Sequence, residues 1–275
     1  MAKWSPAPPG GPCNFNQLNH TMTETKLDFW NNRAGLKEIA GTNDFPLKGL
    51  ELNMVLAKVP PRATVLDVGC GNGETLMRLA REKDCTGVGV DFSAKMVELA
   101  LATSKREGLA AQVSFQVGAL PILPQSLGQF DYAITERCLI NLDSEEAQRR
   151  AFLNIMSHVN PNGLYLMIES AIQGLERTNE LRQLLELERM EPPWHNVFLD
   201  ESLVEKWGTD QFVLEEVVPF TSTYHFLSRV VYARLAADKN EELKYDSDIN
   251  MLACRLPPIG NFGPVRLWSW RHKAN

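Results

Sequence analysis

The chain lacks the features that mark disulfide, metal and membrane proteins. Its 275 residues include five cysteines, none in a C-x-x-C pair, and no spacing with histidine is typical of a metal site. We therefore expect reduced thiols, a cytoplasmic location and no bound metal. No apolar run approaches the ~20 residues that a membrane helix needs. The first residues, MAKWSPAPPGGPCNFN, also lack the apolar centre of a signal peptide.

The chain has fewer positively charged than negatively charged residues. Lysine and arginine number 28 against 34 aspartate and glutamate residues, which gives a net charge of -6. A nucleic-acid partner needs a basic field, so the charge disfavours that class of protein. The sequence also offers no basic amphipathic face for stable membrane association. We expect a small-molecule partner, and the sequence leaves the oligomeric state open.

The chain divides into zones by pattern. Residues 1–16 are rich in proline and glycine and predict a disordered lead-in, followed by a single domain over 17–275. Within it, residues 17–60 predict a cap of helices. Strand and helix patterns alternate over residues 62–170, an order typical of a parallel, doubly wound α/β sheet with right-handed crossovers. Residues 171–275 predict substrate-side helices and the final strands.

A glycine-rich loop, VLDVGCGNGET at residues 65–75, follows the first predicted strand. Such a strand-to-helix turn brings backbone N–H groups close to a ligand. The dinucleotide fingerprint requires glycine or alanine where Glu74 stands, and a phosphate loop requires a lysine that is absent here. Asp67 and Glu74 instead favour a positively charged ligand. Asp91, at the end of the second strand, can accept hydrogen bonds from both hydroxyls of a ribose, and Phe92 can flank an adenine. A nucleoside with a cationic tail and no phosphate matches S-adenosylmethionine.

The pattern D-x-G-x-G-x-G from Asp67 to Gly73 resembles motif I of the class I S-adenosylmethionine-dependent methyltransferases. The resemblance implies a Rossmann-like, doubly wound sheet of seven strands with an antiparallel last strand, where the LWSW segment fits, plus N-terminal helices and a helical insert that forms a lid. The cofactor-binding positions that we assign are Asp67, Gly69, Cys70, Gly71, Gly73, Asp91, Phe92, Met96 and Thr135. Ala119 stands where the family often has an acidic residue, so we expect the backbone of Ala119 and Leu120 to contact the adenine.

Segments outside this core resemble a bacterial group of small-molecule methyltransferases. They are FWNNRAG and AGTND before the sheet, and WHN and STYHFLSRVVY after it. The resemblance implies that Arg33 and Thr42 close over the carboxylate end of the cofactor.

The methyl acceptor should contact the loops beyond the carboxyl ends of the strands, including the long insert from about 221 to 263. The substrate-binding candidates in these loops are Arg137, Trp194, Tyr224 and Arg229. Arginines among aromatic residues favour a small polar acceptor that carries a carboxylate or phosphate. The alternatives are a surface salt bridge for Arg137 and a structural role for the tryptophan.

A sulfonium methyl group is already activated, so the protein mainly aligns the reactants. An O or N acceptor must also lose a proton, for which His195 and His225 are the candidate bases and Glu136 a third; a half-buried structural role for His195 is the alternative. We predict methyl transfer to a small metabolite, sugar or natural-product acceptor. A lipid or protein methyltransferase and a non-catalytic cofactor-binding regulator remain open, while Glu74 disfavours a nicotinamide oxidoreductase.

Overall fold

The structure, a computed structural model, describes residues 25–274. The predicted lead-in at 1–16 lies outside the described residues. The strands are β1 Thr64–Val68, β2 Thr86–Asp91, β3 Val113–Val117, β4 Phe130–Glu136, β5 Val159–Ser170, β6 Phe212–Val218 and β7 Val265–His272. The helices are α1 Lys26–Arg33, α2 Phe45–Lys58, α3 Glu74–Lys83, α4 Ala94–Arg106, α5 Glu145–Met156, α6 Ile172–Leu184, α7 Glu201–Val204, α8 Ser222–His225, α9 Tyr232–Lys239 and α10 Asp248–Ala253. A π-helical segment, Phe226–Val231, joins α8 to α9.

The seven strands form one sheet in the order β3-β2-β1-β4-β5-β7-β6. Strands β1 to β5 pair in parallel, whereas β7 runs antiparallel to both β5 and β6. The predicted fold, a doubly wound sheet with an antiparallel last strand, is confirmed. Because the chain crosses from β3 back to β4 beside β1, the carboxyl ends of β1 and β4 border the crevice where such sheets bind ligands.

Apolar cores cover both faces of the sheet because the buried strands carry apolar residues on both sides. Val65 of β1 packs with α2, α3 and α4 on one face. Leu66 packs with α5 and the tryptophans of β7 on the other face. Strand β1 is thus buried on both faces, between β2 and β4 in the middle of the sheet.

Two of the helices that border the crevice, α2 and α4, begin at side-chain caps. The carboxylate of Asp44 accepts the N–H of Leu47 at 3.1 Å at the start of α2. The hydroxyl of Ser93 accepts the N–H of Met96 at 3.2 Å at the start of α4. Each cap satisfies a backbone donor that would otherwise lack a partner in the first turn. The caps thereby fix where the first turns of α2 and α4 stand beside the strand ends.

Within residues 25–274, no helix combines the length and apolarity needed to cross a membrane.

Candidate functional site

A cavity of about 430 Å³ lies at the carboxyl ends of β1, β2 and β4. Its walls come from the glycine loop after β1, the turn after β2, the segment after β3 and the residues after β4. Helices α1 and α2 and the loop around His195 close it from the opposite side. Cavities of this size that combine apolar walls with a few polar groups are typical of small-molecule sites.

The glycine loop presents its backbone to this cavity. Gly69 and Gly71 line it with positive φ values of +74° and +53°, which side-chain-bearing residues rarely adopt. A Cβ on Gly69 would also lie 2.4 Å from the Sγ atom of Cys138. The loop therefore needs glycine at position 69 both for its conformation and for the close approach of the chain after β4.

Asp91 closes the site at the end of β2. Its carboxylate accepts the N–H of Gly71 at 2.9 Å on Oδ2 and the N–H of Ser93 at 2.8 Å on Oδ1. Burial raises the pKa of this carboxyl, and the two backbone N–H groups lower it. Each oxygen keeps a free lone pair, so the carboxylate can accept two further hydrogen bonds. The residues present therefore fit the ribose of S-adenosylmethionine.

Most predicted cofactor positions meet at this cavity. Those that line it are Gly69, Cys70, Gly71, Asp91, Phe92, Met96, Ala119, Leu120, Arg33 and Thr42. Gly73 instead packs beneath the loop, where a Cβ would lie 2.6 Å from the ring of Phe115. Thr135 is buried and its hydroxyl lies 2.9 Å from that of Tyr165. Asp67 lies below the cavity, where burial raises the pKa of its carboxyl to about 8. Cofactor contact by these last three residues stays a prediction, and they are not part of the cavity lining.

Arg33 projects from the end of α1 into a cradle of carbonyl groups. Its guanidinium donates to the carbonyl oxygens of Ala40 at 2.6 Å and Ile39 at 2.7 Å and to Oδ1 of Asn43 at 3.2 Å. Burial and the neighbouring Arg137 lower its pKa. Among the described residues no carboxylate forms a salt bridge with it. A cation with only neutral partners in a cavity wall is suited to the carboxylate of a ligand.

Two charged residues that follow each other at the end of β4 depend on α2 for their counter-charges. Glu136 accepts the ammonium of Lys48 at 2.8 Å. Arg137 forms a salt bridge of 2.9 Å with the fully buried Glu51. Arg137 also has a positive φ of +55°, a strained conformation that is typical of functional turns. Lys48 and Glu51 are not among the residues predicted from the sequence, although their three-residue spacing on an apolar helix is a usable signal.

His195 lies on the opposite wall, beside α1. Its ring stacks on Phe29 with centroids 4.4 Å apart and lies edge-on to Trp30 at 6.0 Å. Burial, together with Lys26 and Arg33, lowers its pKa to about 4. Its Nδ1 atom is buried without a partner in the described part of the chain. A neutral imidazole with a free nitrogen can accept a hydrogen bond or a proton. The neighbouring Trp194 is exposed and does not line the cavity.

The insert places its predicted site residues outside the cavity lining. His225 packs against Gly263, its Nδ1 lies 3.1 Å from the carbonyl of Thr221, and burial lowers its pKa to about 3. Tyr224 and Arg229 both contact Asp44. From this insert it is Tyr245 that lines the cavity. Tyr245 is not among the residues predicted from the sequence, because nothing in the local pattern YDSDIN distinguishes an inward-facing tyrosine from an exposed one.

Comparison with known proteins agrees with this geometry. Residues 65–163 match a family model described as a methyltransferase domain. Ajmaline N-methyltransferase of Rauvolfia serpentina is 32% identical over 108 residues, which cover 39% of this chain and 36% of that protein. Magnesium-protoporphyrin O-methyltransferase of Rhodobacter capsulatus is 37% identical over 90 residues, 32% of this chain and 38% of that protein. The chain thus spans little more than a third of the length of these curated relatives.

Solved structures resemble the chain over more of its length. An S-adenosylmethionine-dependent methyltransferase from Clostridium acetobutylicum aligns with a TM-score of 0.55 at 12% identity, over 89% of this chain and 99% of that one. At this identity the likeness concerns the fold alone, because one fold carries many activities.

Proposed function

We propose that this chain, which matches a methyltransferase-domain model over residues 65–163, is a class I S-adenosylmethionine-dependent methyltransferase that transfers a methyl group to an O or N atom of a small polar acceptor. The observation that carries the proposal is the single cavity that joins Asp91 and the glycine loop to Arg137 and His195. Cofactor-holding groups and groups suited to an acceptor thus share one space. The N- and O-methyltransferases among the relatives support this choice of acceptor atoms.

The residues that hold the cofactor come from separate elements. Asp91 would hold the ribose hydroxyls, and the backbone around Ala119 and Leu120 would contact the adenine. The close backbone of Gly69 and Gly71 would leave room for the methionine part, and Arg33 would bind its carboxylate. When bound, S-adenosylmethionine supplies a methyl group activated by its sulfonium sulfur.

The chain's own groups orient the acceptor and remove its proton. Arg137 is held by Glu51, so its guanidinium has a fixed direction in which to bind an anionic group of the acceptor. The neutral His195 accepts the proton that an O or N nucleophile loses. The rings of Phe29 and Trp30 exclude water around that imidazole. The scattered cysteines support a cytoplasmic setting for this reaction.

Methyl-labelled S-adenosylmethionine tests the proposal. The protein is incubated with the labelled cofactor and a fractionated metabolite extract, and labelled products are identified by mass spectrometry. We expect a labelled small molecule with the wild type and with the exposed-site control Asp210→Ala, and none with Asp91→Ala. If no fraction gives a product above the Asp91→Ala background, the proposed function is wrong.

A further inference from the structure

A buried ionic network outside the cavity has no part in the steps above. The carboxylate of Asp44 accepts the hydroxyl of Tyr224 at 2.5 Å on Oδ1, and its Oδ2 is paired with the guanidinium of Arg229. All three side chains are buried. Breaking such a pair leaves an uncompensated charge in the interior, so the network holds the insert firmly against the first turn of α2.

The π-helical segment places Arg229 for this contact. Single turns of π-helix are frequent at functional sites because the wider turn re-aims the side chains that follow. Residues Phe226–Val231 form such a segment, and Arg229 from it reaches Asp44, which immediately follows two residues of the cavity wall, Thr42 and Asn43. The network therefore connects the insert to the rim of the site.

The guanidinium of Arg229 also lies close to two aromatic rings. Its guanidinium carbon lies 5.5 Å from the ring centroid of Tyr224 and 5.5 Å from that of Tyr245, both within cation–π range. Tyr245 lines the cavity. The ion pair with Asp44 thus fixes the guanidinium of Arg229, which in turn holds the ring of Tyr245. Through Tyr245 the insert contributes an aromatic wall to the cavity.

A second aromatic wall stands in the same cavity. Phe29 and His195 stack there, and the guanidinium carbon of Arg33 lies 6.0 Å from the centroid of Phe29. Arg33 interacts electrostatically with both walls, because its charge lowers the pKa of His195 and Tyr245 raises the pKa of Arg33. The two walls, one from α1 and one from the insert, therefore border the same part of the cavity around Arg33.

We propose that the acceptor subsite lies between Tyr245 and the Phe29–His195 pair and that it takes an acceptor with a planar ring. Tyr245 is the specificity-determining residue, and Arg229 is a positioning residue that holds it. A flat ring can stack on such walls, whereas a saturated ring loses most of the stacking. This inference rests on the proposed function and names the substrate class of the same site.

Binding of ring compounds to the protein saturated with S-adenosylhomocysteine tests the inference. The probes are phenol, indole and para-hydroxybenzoate, with cyclohexanol as the saturated counterpart. Their binding is measured by saturation-transfer NMR and calorimetry. We expect at least one planar probe to bind more tightly than cyclohexanol. Tyr245→Ala should weaken that probe about tenfold, in line with the energy of one aromatic contact, and Tyr245→Phe should restore it.

Arg229→Lys separates positioning from general stability. We expect this variant to bind the planar probe more weakly and S-adenosylhomocysteine with unchanged affinity. If the affinities for the probe and for S-adenosylhomocysteine fall together with the melting temperature, the role of Arg229 is purely structural and the positioning role is contradicted. The inference fails if no planar probe binds the wild type more tightly than cyclohexanol, or if Tyr245→Ala binds it as well as the wild type. Retained S-adenosylhomocysteine binding in that case leaves the proposed function standing, whereas its loss in the wild type contradicts the proposed function itself.

Discussion

At the scale of single residues, Asp67 combines burial with an oxygen, Oδ2, that has no hydrogen-bond partner in the described part of the chain. Burial and the nearby Glu136 raise its pKa from 3.8 to about 8. The folded chain therefore binds more protons than the unfolded chain between these values, and Asp67 lowers stability as pH rises through that window. The residue thus costs stability at neutral pH, which is common where a site needs an acidic group.

Asp67→Asn should consequently stabilise the free protein at pH 8. An amide of the same shape removes the titration, so we expect a rise in melting temperature on the order of 5 °C. The difference should shrink as the pH falls and vanish below the unfolded value of 3.8, where the carboxyl is protonated in both states. Asp131→Asn is the matched control. The N–H of Thr64 lowers the pKa of the Asp131 carboxyl, so that variant should melt lower. An Asp67→Asn protein no more stable than the wild type at pH 8 would show that the buried carboxyl carries no such cost.

His195 gives a second test at this scale. Because its pKa is lowered to about 4, the imidazole stays neutral until the pH falls well below the ordinary histidine value. With the acceptor found by isotope labelling, the acidic limb of the rate profile should lie near pH 4. His195→Gln should lower the rate by about 10²- to 10⁴-fold, and His272→Gln, at a ring that contacts the carbonyl of Val159, should not. A full rate in His195→Gln would remove this residue from the mechanism.

At the scale of elements, the turn after β4 depends on one carboxylate in β5. Glu169 accepts the N–H groups of Cys138 at 3.0 Å and Leu139 at 2.9 Å and contacts that of Ile140 at 3.4 Å. Burial raises its pKa to about 7, against the lowering effect of these N–H groups. The carboxylate therefore anchors a turn whose residues Cys138 and Ile140 line the cavity.

Glu169→Leu should loosen this turn, because the leucine side chain offers no acceptor to the three N–H groups. We expect the protection of the Cys138 and Leu139 amides against hydrogen exchange to fall by about 2 kcal/mol. Glu215→Leu, at an exposed ion pair with Arg271, is the control and should leave these amides unchanged. Equal exchange in both variants would mean that the turn is held by other contacts.

The elements differ in how far the sequence predicts them. The strands and the helices between them follow from local apolar patterns and caps, such as Ser93 before α4. The start of α5 is set by Ser144, whose hydroxyl accepts the N–H of Ala147 at 3.2 Å, although the neighbouring Asp143 is an equally good capping residue by type. The packing of the insert was beyond prediction. Asp44 and Arg229 lie 185 positions apart, and no local pattern encodes a contact at that separation.

At the scale of the whole molecule, the sequence predicts a ligand site beyond the carboxyl ends of the parallel strands. Asp91, Gly71 and Arg137, which this rule groups together, line one cavity of the structure, and their contact with a ligand stays a prediction. The rule does not say which side chains of a long insert face inward. From the insert, the sequence therefore predicted Tyr224 and Arg229 as site residues. These two contact Asp44 outside the cavity, whereas Tyr245 lines it.

Cofactor binding should stabilise the whole domain, since the cavity joins α1, α2 and the strand ends. S-adenosylhomocysteine at about 100 times its dissociation constant adds about 2.7 kcal/mol to the free energy of unfolding. We expect the melting temperature, measured by differential scanning fluorimetry, to rise by roughly 5–10 °C. Adenosine at the same concentration should give a smaller rise, because it lacks the homocysteine part whose carboxylate we assign to Arg33. Equal shifts for both ligands would contradict that assignment.

The most direct measurement of the central claim is calorimetric titration of S-adenosylhomocysteine into wild type, Asp91→Ala and the control Asp210→Ala. We assign the two oxygens of the buried Asp91 carboxylate to the ribose, and losing hydrogen bonds to a charged group costs about 3 kcal/mol. We expect micromolar binding by the wild type and the control, and binding about 100-fold weaker by Asp91→Ala. Equal affinity in all three proteins would contradict the assignment of this cavity to the cofactor.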